Sequence, residues 1–202
     1  MAASKRSAHV NPVVVIAALF VCVIASARAS AGPIPIGEWL EFGFTEPGVG
    51  ATGCDPADPT GPFCIPSSGT PTSFLNAPPW TFTAPATGAT LLVTDTFQSG
   101  DQFEVLDFGV PIALTSVPAA QGIVDCGDDP VPCFATAGIS TLIQALAAGD
   151  HSLTIAALQA PSGGGSGYLR VDAATAAVPE PGTLLLMATG LGVAAIRRRS
   201  RR

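Results

Sequence analysis

Trp80-Thr81-Phe82-Thr83-Ala84 alternates apolar and polar side chains, and Ala89-Thr90-Leu91-Leu92-Val93-Thr94-Asp95-Thr96-Phe97 follows with β-branched and apolar residues. A period of two puts alternate side chains on one face, as a strand with one buried side requires. In the second stretch Leu91, Val93 and Phe97 share a face. The turn Ser99-Gly100-Asp101 leads into Gln102 to Phe108. There the apolar phase moves from Phe103/Val105 to Leu106/Phe108, the mark of a bulge or of exposure on both faces.

Outward from this centre the pattern repeats. Glu38 to Phe44 reads as a first strand with Leu40, Phe42 and Phe44 in register; Pro111 to Ser116, His151 to Leu158 and Gly167 to Asp172 read as later ones. Ile139 to Ala148 fits a short helix or a strand. Gly163-Gly164-Gly165-Ser166-Gly167 reads as a flexible hairpin loop. Trp39 and Trp80 fall in strands and are expected to fill the core. Gly and Pro punctuate the chain at the rhythm of a sandwich or barrel. The expected fold class is all-β, an antiparallel β-sandwich body over residues 32–177. Residues 80–109 and 147–158 (Trp-Thr-Phe-Thr, Ser-Gly-Asp-Gln-Phe-Glu-Val, Ala-Gly-Asp-His-Ser-Leu-Thr-Ile) resemble small bacterial jelly-roll modules, which implies that sandwich and no activity.

The charge is partitioned. The chain of 202 residues has net charge −6, yet Gly32 to Val178 holds fourteen acidic residues and one basic, a formal −13. Such a body repels phosphate backbones, which argues against nucleic-acid partners. Its acidity serves either solubility or the binding of a cation or basic surface.

Both ends read as addresses. Lys5 and Arg6 precede Val13 to Ile24, an uninterrupted apolar run of twelve, and small residues follow at Ala27-Arg28-Ala29 and Ala29-Ser30-Ala31. Residues 1–31 thus have the three parts of a signal peptide, with a retained anchor as the alternative. At the other end, residues 178–202, Pro179-Glu180-Pro181 leads into an apolar segment, Thr183 to Ile196, and then Arg197-Arg198-Arg199-Ser200-Arg201-Arg202. As a helix that segment reaches roughly 21 Å at about 1.5 Å per residue. This is short against a hydrocarbon core of about 30 Å and suits a transient transmembrane stop, with the arginines kept in the cytoplasm. The triplet, the short apolar helix and the arginine cluster together resemble the PEP-CTERM family of exosortase substrates. The resemblance implies a Gram-negative host, exosortase cleavage near Pro179, Glu180 and Pro181, and delivery to the outer surface or extracellular space. That family is often associated with extracellular polysaccharide and biofilm matrix.

Cys22 leaves with the signal peptide. The even set Cys54, Cys64, Cys126 and Cys133 points to disulfides in an exported chain. Of three connectivities, Cys54–Cys64 and Cys126–Cys133 are favoured because each brackets a compact Pro/Gly/Asp loop. Zinc is disfavoured: no Cys-x-x-Cys exists, and His151 is the body's sole histidine.

Catalytic signals are weak. His151 is a general-base candidate, but Asp150 stands too near in sequence to orient it. Ser166 lacks the closing glycine of a nucleophile elbow, Tyr168 occupying that place. Glu104 and Asp107 are a carboxylate pair of the kind a glycosidase uses, although pairs arise by chance in so acidic a body. No cofactor or metal is expected; a structural calcium is the better candidate than catalysis, because hard cations take loop carboxylates and carbonyls, although no Asp-x-Asp-x-Asp-Gly calcium loop is present. The candidates are Asp55 with Asp58, Asp95 with Asp101, and Asp125 with Asp128 and Asp129.

The sequence therefore predicts a non-enzymatic, exported cell-surface or matrix protein. Its expected partners are signal peptidase, exosortase, the membrane through its C-terminal helix before processing, and extracellular polysaccharide. A carbohydrate-binding module is the alternative function, and a hydrolase the third.

Overall fold

The computed structural model describes residues 33–57 and 61–175; the signal-peptide segment, the whole sorting tail with its apolar run, and Asp58 lie outside the described residues. Among the described residues the strands are, in chain order, β1 (Trp39–Phe44), β2 (Thr72–Phe74), β3 (Trp80–Ala84), β4 (Ala89–Asp95), β5 (Phe97–Gln98), β6 (Gln102–Asp107), β7 (Val110–Leu114), β8 (Asp125–Gly127), β9 (Thr141–Leu146), β10 (Gly149–Gln159) and β11 (Gly165–Ala173), with one helix, α1 (Pro130–Ala135), between β8 and β9. Among the described residues no helix is long and apolar enough to cross a membrane.

Two sheets pack face to face, ordered β2-β1-β11-β4-β9 and β3-β10-β6-β7. The antiparallel pairs β1/β11, β3/β10, β4/β9 and β6/β7 nest one inside the next about the β6–β7 hairpin. A long hairpin rolled up in this way, its strands shared between two sheets, is a jelly roll. The body is therefore the expected all-β sandwich.

Period-two alternation builds the core. Leu40, Phe42 and Phe44 of β1 face Trp80 and Phe82 of β3, Phe103 and Val105 of β6, and Leu153 and Ile155 of β10. The Phe42 and Phe44 rings meet Phe103 edge-on at 5.3 and 5.1 Å between centroids. Such pairs add roughly 0.5–1.5 kcal/mol beyond the area they bury. Trp80 is fully buried, and its indole N–H donates to the Asn76 carbonyl at 2.7 Å.

Of the two readings of the β6 phase change, exposure on both faces holds: β6 pairs residue for residue with β10 from Phe103 to Asp107, and the slip against β7 between Val105 and Leu106 leaves the extra residue, Ile112, on β7. Phe108, half of the apparent second phase, sits in the two-residue hairpin turn with Gly109, both at positive φ (48° and 76°). Turns of that hand match the twist of their strands.

Four expectations need correction or a decision. Ile139 to Ala148 contains a strand, β9, because its apolar side chains close the edge of the larger sheet. Phe97 does not share the face of Leu91 and Val93: its φ of +56° turns the chain out of β4, and its ring meets Phe63 at 6.0 Å. Trp39 is buried, but on the opposite face of β1 from the main core, where it packs on Phe134 of α1 at 5.9 Å. The glycine run is no hairpin loop, since β10 and β11 lie in different sheets and Gly165 to Gly167 already belong to β11. Its glycines answer to packing: a Cβ on Gly167 would stand 2.6 Å from Phe42 Cζ, and one on Gly164 2.6 Å from the Thr45 carbonyl.

Both disulfides form as expected, Cys54–Cys64 and Cys126–Cys133. Each pins an insertion over the outer face of the larger sheet. Helix α1, capped by Asp129 with Pro at its start, carries Cys133 back to Cys126. This cover buries residues that a simple sandwich would leave wet, among them Glu41, Thr94, Ser166 and Tyr168.

Candidate functional site

The calcium candidates meet different fates. Asp128 accepts from the amide and hydroxyl of Ser68 at 3.0 and 2.6 Å. Asp129 accepts from Thr70 N–H at 3.0 Å and caps α1 through Val131 N–H at 3.0 Å. Those hydrogen bonds hold the Asp129 carboxyl below its ordinary range. These two acids tie the disulfide-pinned insertions together and do not converge with Asp125. Asp55 accepts from the amide of Ala57 in a local turn.

Asp95 and Asp101 are brought together. Asp95 ends β4, and the left-handed Phe97 with Gly100 at φ +144° folds the connection back so that Asp101 returns beside it. Ser99 anchors the fold-back, donating to the Ala120 carbonyl and accepting from Val124 N–H. The short β5–β8 ladder then sets Gln98 opposite Asp125. Asp101 and Asp125 line a cleft of about 310 Å³ with Phe63, Phe97, Gln98 and Ser162.

Asp95 is completely buried and Asp101 nearly so. Burial first, then the charge of Asp101, pushes the Asp95 carboxyl up to about 8, although the amides of Thr96 and Asp101 oppose the rise. Burial alone pushes Asp101 up to about 6. Asp95 Oδ1 accepts from Thr96 N–H at 2.8 Å, whereas Oδ2 has no hydrogen-bond partner. A buried, partnerless carboxylate oxygen is costly.

A third buried acid escaped the sequence reading. Glu41 alternates with Leu40 and Phe42, so it reads as an outward polar residue; the insertions cover it completely. Burial pushes its carboxyl up to about 7 despite hydrogen bonds from Ser166 and the Ile65 amide. It lies near the sulfurs of Cys54 and Cys64. Those sulfurs are joined to each other, which leaves no thiolate for a metal.

His151 has an orienting acid after all. Its Nδ1 lies 2.7 Å from Asp107 Oδ2, its Nε2 lies 3.0 Å from the Ala147 carbonyl, and its ring stacks on Phe82 at 5.0 Å. Asp107 Oδ1 also accepts from Ser152 N–H at 2.9 Å. Both ring nitrogens face acceptors, an arrangement that suits the doubly protonated imidazolium. Although burial opposes the charge, the Ala147 carbonyl, Asp107 and Asp150 together raise the His151 pKa. Asp107 comes from β6, far away in sequence, so only strand pairing could reveal it. Glu104, three residues before Asp107 on a continuous strand, points to the other face. Ser166 is buried in β11, its carbonyl accepting from the Thr96 hydroxyl at 2.8 Å.

The comparison that bears on function concerns the tail. Residues 177–202 match the PEP-CTERM protein-sorting motif. The motif supports an exported, exosortase-sorted protein with a surface or extracellular destination, and it contains the Pro179-Glu180-Pro181 triplet. No curated protein matches the chain.

Proposed function

We propose that the jelly-roll body acts by binding at the outer surface or in the extracellular matrix, without catalysis. The observation that carries this reading is the engagement of His151. A general base needs a free nitrogen within reach of substrate, and here Nδ1 is held by Asp107 and Nε2 by a backbone carbonyl. The role of the pair is to clamp β10 to β6 at the end of the smaller sheet. In the same proposal, signal peptidase removes residues 1–29 or 1–31, the apolar run anchors the precursor transiently, and exosortase cuts near Pro179 to Pro181.

A carbohydrate-binding reading is favoured by one feature, the Phe63–Phe97 ring pair beside Gln98 and Asp125 at the cleft. Phe63 is 63% exposed, so a sugar face could rest on it. A row of exposed aromatics along one sheet face would have made the stronger case; among the described residues the other strongly exposed aromatic ring, Phe108, lines a separate groove beside His151.

Intact-mass analysis of surface material tests the processing: the mature protein should lack residues 1–29 or 1–31 and everything beyond the Pro179–Pro181 region. Retention of Arg197 to Arg202 would exclude exosortase handling. A glycan-array screen and hydrolysis assays on glycans and esters test the body. Turnover that disappears in His151→Ala would overturn the binding-only reading, and loss of glycan retention in Phe63→Ala would establish the carbohydrate site.

A further inference from the structure

We propose that Asp95 and Asp101 hold one calcium ion between their carboxylates, beneath the cleft that Asp101 lines between the β4–β6 connection and the start of β11. The argument starts from the partnerless oxygen. Asp95 Oδ2 is buried and makes no hydrogen bond, beside a second buried carboxylate. Two carboxylates brought into a low-dielectric site repel each other unless a proton or a cation stands between them.

Among the described residues no side chain supplies that cation. Arg170 is the one Lys or Arg among the described residues, and its guanidinium is occupied by Asp172 at 2.7 Å and by the Trp39 ring. His151 is held by Asp107. The cleft above the pair is lined by Asp101 and Asp125, by hydroxyls and by the Gln98 amide, with no basic group. An all-oxygen environment of this kind suits a hard divalent ion, and calcium in particular takes a flexible set of oxygens with waters completing its shell.

The position explains a second feature. Thr96 and Ser166, next to the carboxylates, are both buried and hydrogen-bonded to one another across β4 and β11. An ion held by Asp95 and Asp101 would tie together the two ends of the β4–β6 connection, beside this bond. The site does not depend on what the body binds, so its test is separate from the glycan and hydrolysis assays above.

Thermal unfolding of the full chain in mild detergent, followed by near-ultraviolet circular dichroism, provides the test. Calcium at about a hundredfold excess over its Kd should raise Tm by about 5 °C or more beyond sodium chloride of equal ionic strength. Magnesium, which gives up its waters reluctantly, should give less than half of that rise. Titration calorimetry should find one calcium per chain. Asp101→Asn should abolish the calcium-specific rise; if that variant fails to fold, Asp95→Asn replaces it, and the wild-type stoichiometry stands as an independent reading. Asp128→Asn should unfold at lower temperature yet keep the rise. Equal effects of calcium and sodium would show that the pair is neutralised by a proton and overturn the site. An equal rise with magnesium, a rise that survives Asp101→Asn, or one lost in Asp128→Asn would overturn it too.

Discussion

Replacing Gly167 with Ala adds one methyl group at a crowded point between the sheets. The new Cβ would lie 2.6 Å from Phe42 Cζ, 3.1 Å from Phe42 Cε2 and 3.0 Å from the Thr94 carbonyl. Carbon atoms in contact prefer about 3.5–4.0 Å, so about 1 Å must be found. Phe42 cannot easily yield, because its ring is fully buried, edge-on to Phe103 at 5.3 Å and tilted on Trp80 at 6.1 Å. Overpacking of this kind costs about 1–3 kcal/mol. The smaller entropy of the unfolded alanine chain returns about 0.4–1 kcal/mol. The net loss is about 1–2 kcal/mol, which in a domain of this size lowers Tm by about 3–6 °C. Urea unfolding monitored by tryptophan fluorescence measures it directly. Shaving the obstacle gives the sharper check: in a Phe42→Leu background the same change should cost about 1 kcal/mol less. Were Gly167 part of a flexible linker, Ala would be neutral or stabilising and the two substitutions would add. Either result would refute the packing argument.

Other outcomes follow from the same structure. The His151 pKa is raised on folding, so the stabilisation from its charged form is complete below about 6.5, the unfolded value, and is lost as pH rises through the folded value. The stability difference between wild type and His151→Gln, about 1–2 kcal/mol at low pH, should therefore shrink with rising pH; a difference independent of pH would mean that the clamp does not use the imidazolium. Non-reducing peptide mapping should recover Cys54 linked to Cys64 and Cys126 linked to Cys133. Removing either bridge as a Ser pair should cost about 2.5 kcal/mol by loop-closure entropy, and a variant as stable as wild type would contradict it. Replacing Glu180 or the terminal arginines should trap the precursor in the inner membrane, visible as an unprocessed band in membrane fractions; normal release would argue against recognition of the motif.

What the sequence determined by itself was whatever short-range pattern encodes. Alternation in Trp80–Ala84 and in Leu40, Phe42 and Phe44 marked the strands, since a strand's inward face repeats every second residue wherever it lies in the chain. The disulfides were legible because each closes a local loop, and the sorting tail because its signals are contiguous. Only the tertiary structure decided what lies between distant segments. Asp107 reaches His151 because β6 pairs with β10 across more than forty residues. Asp95 and Asp101 meet because two residues at positive φ fold the chain back, whereas Asp125 and Asp128, close in sequence, part company once Asp128 turns to Ser68. Glu41 looked solvent-facing because alternation reports on one face of a strand and says nothing of what covers the other. Here a pinned insertion covers it, and its burial follows from pairings that no local window contains.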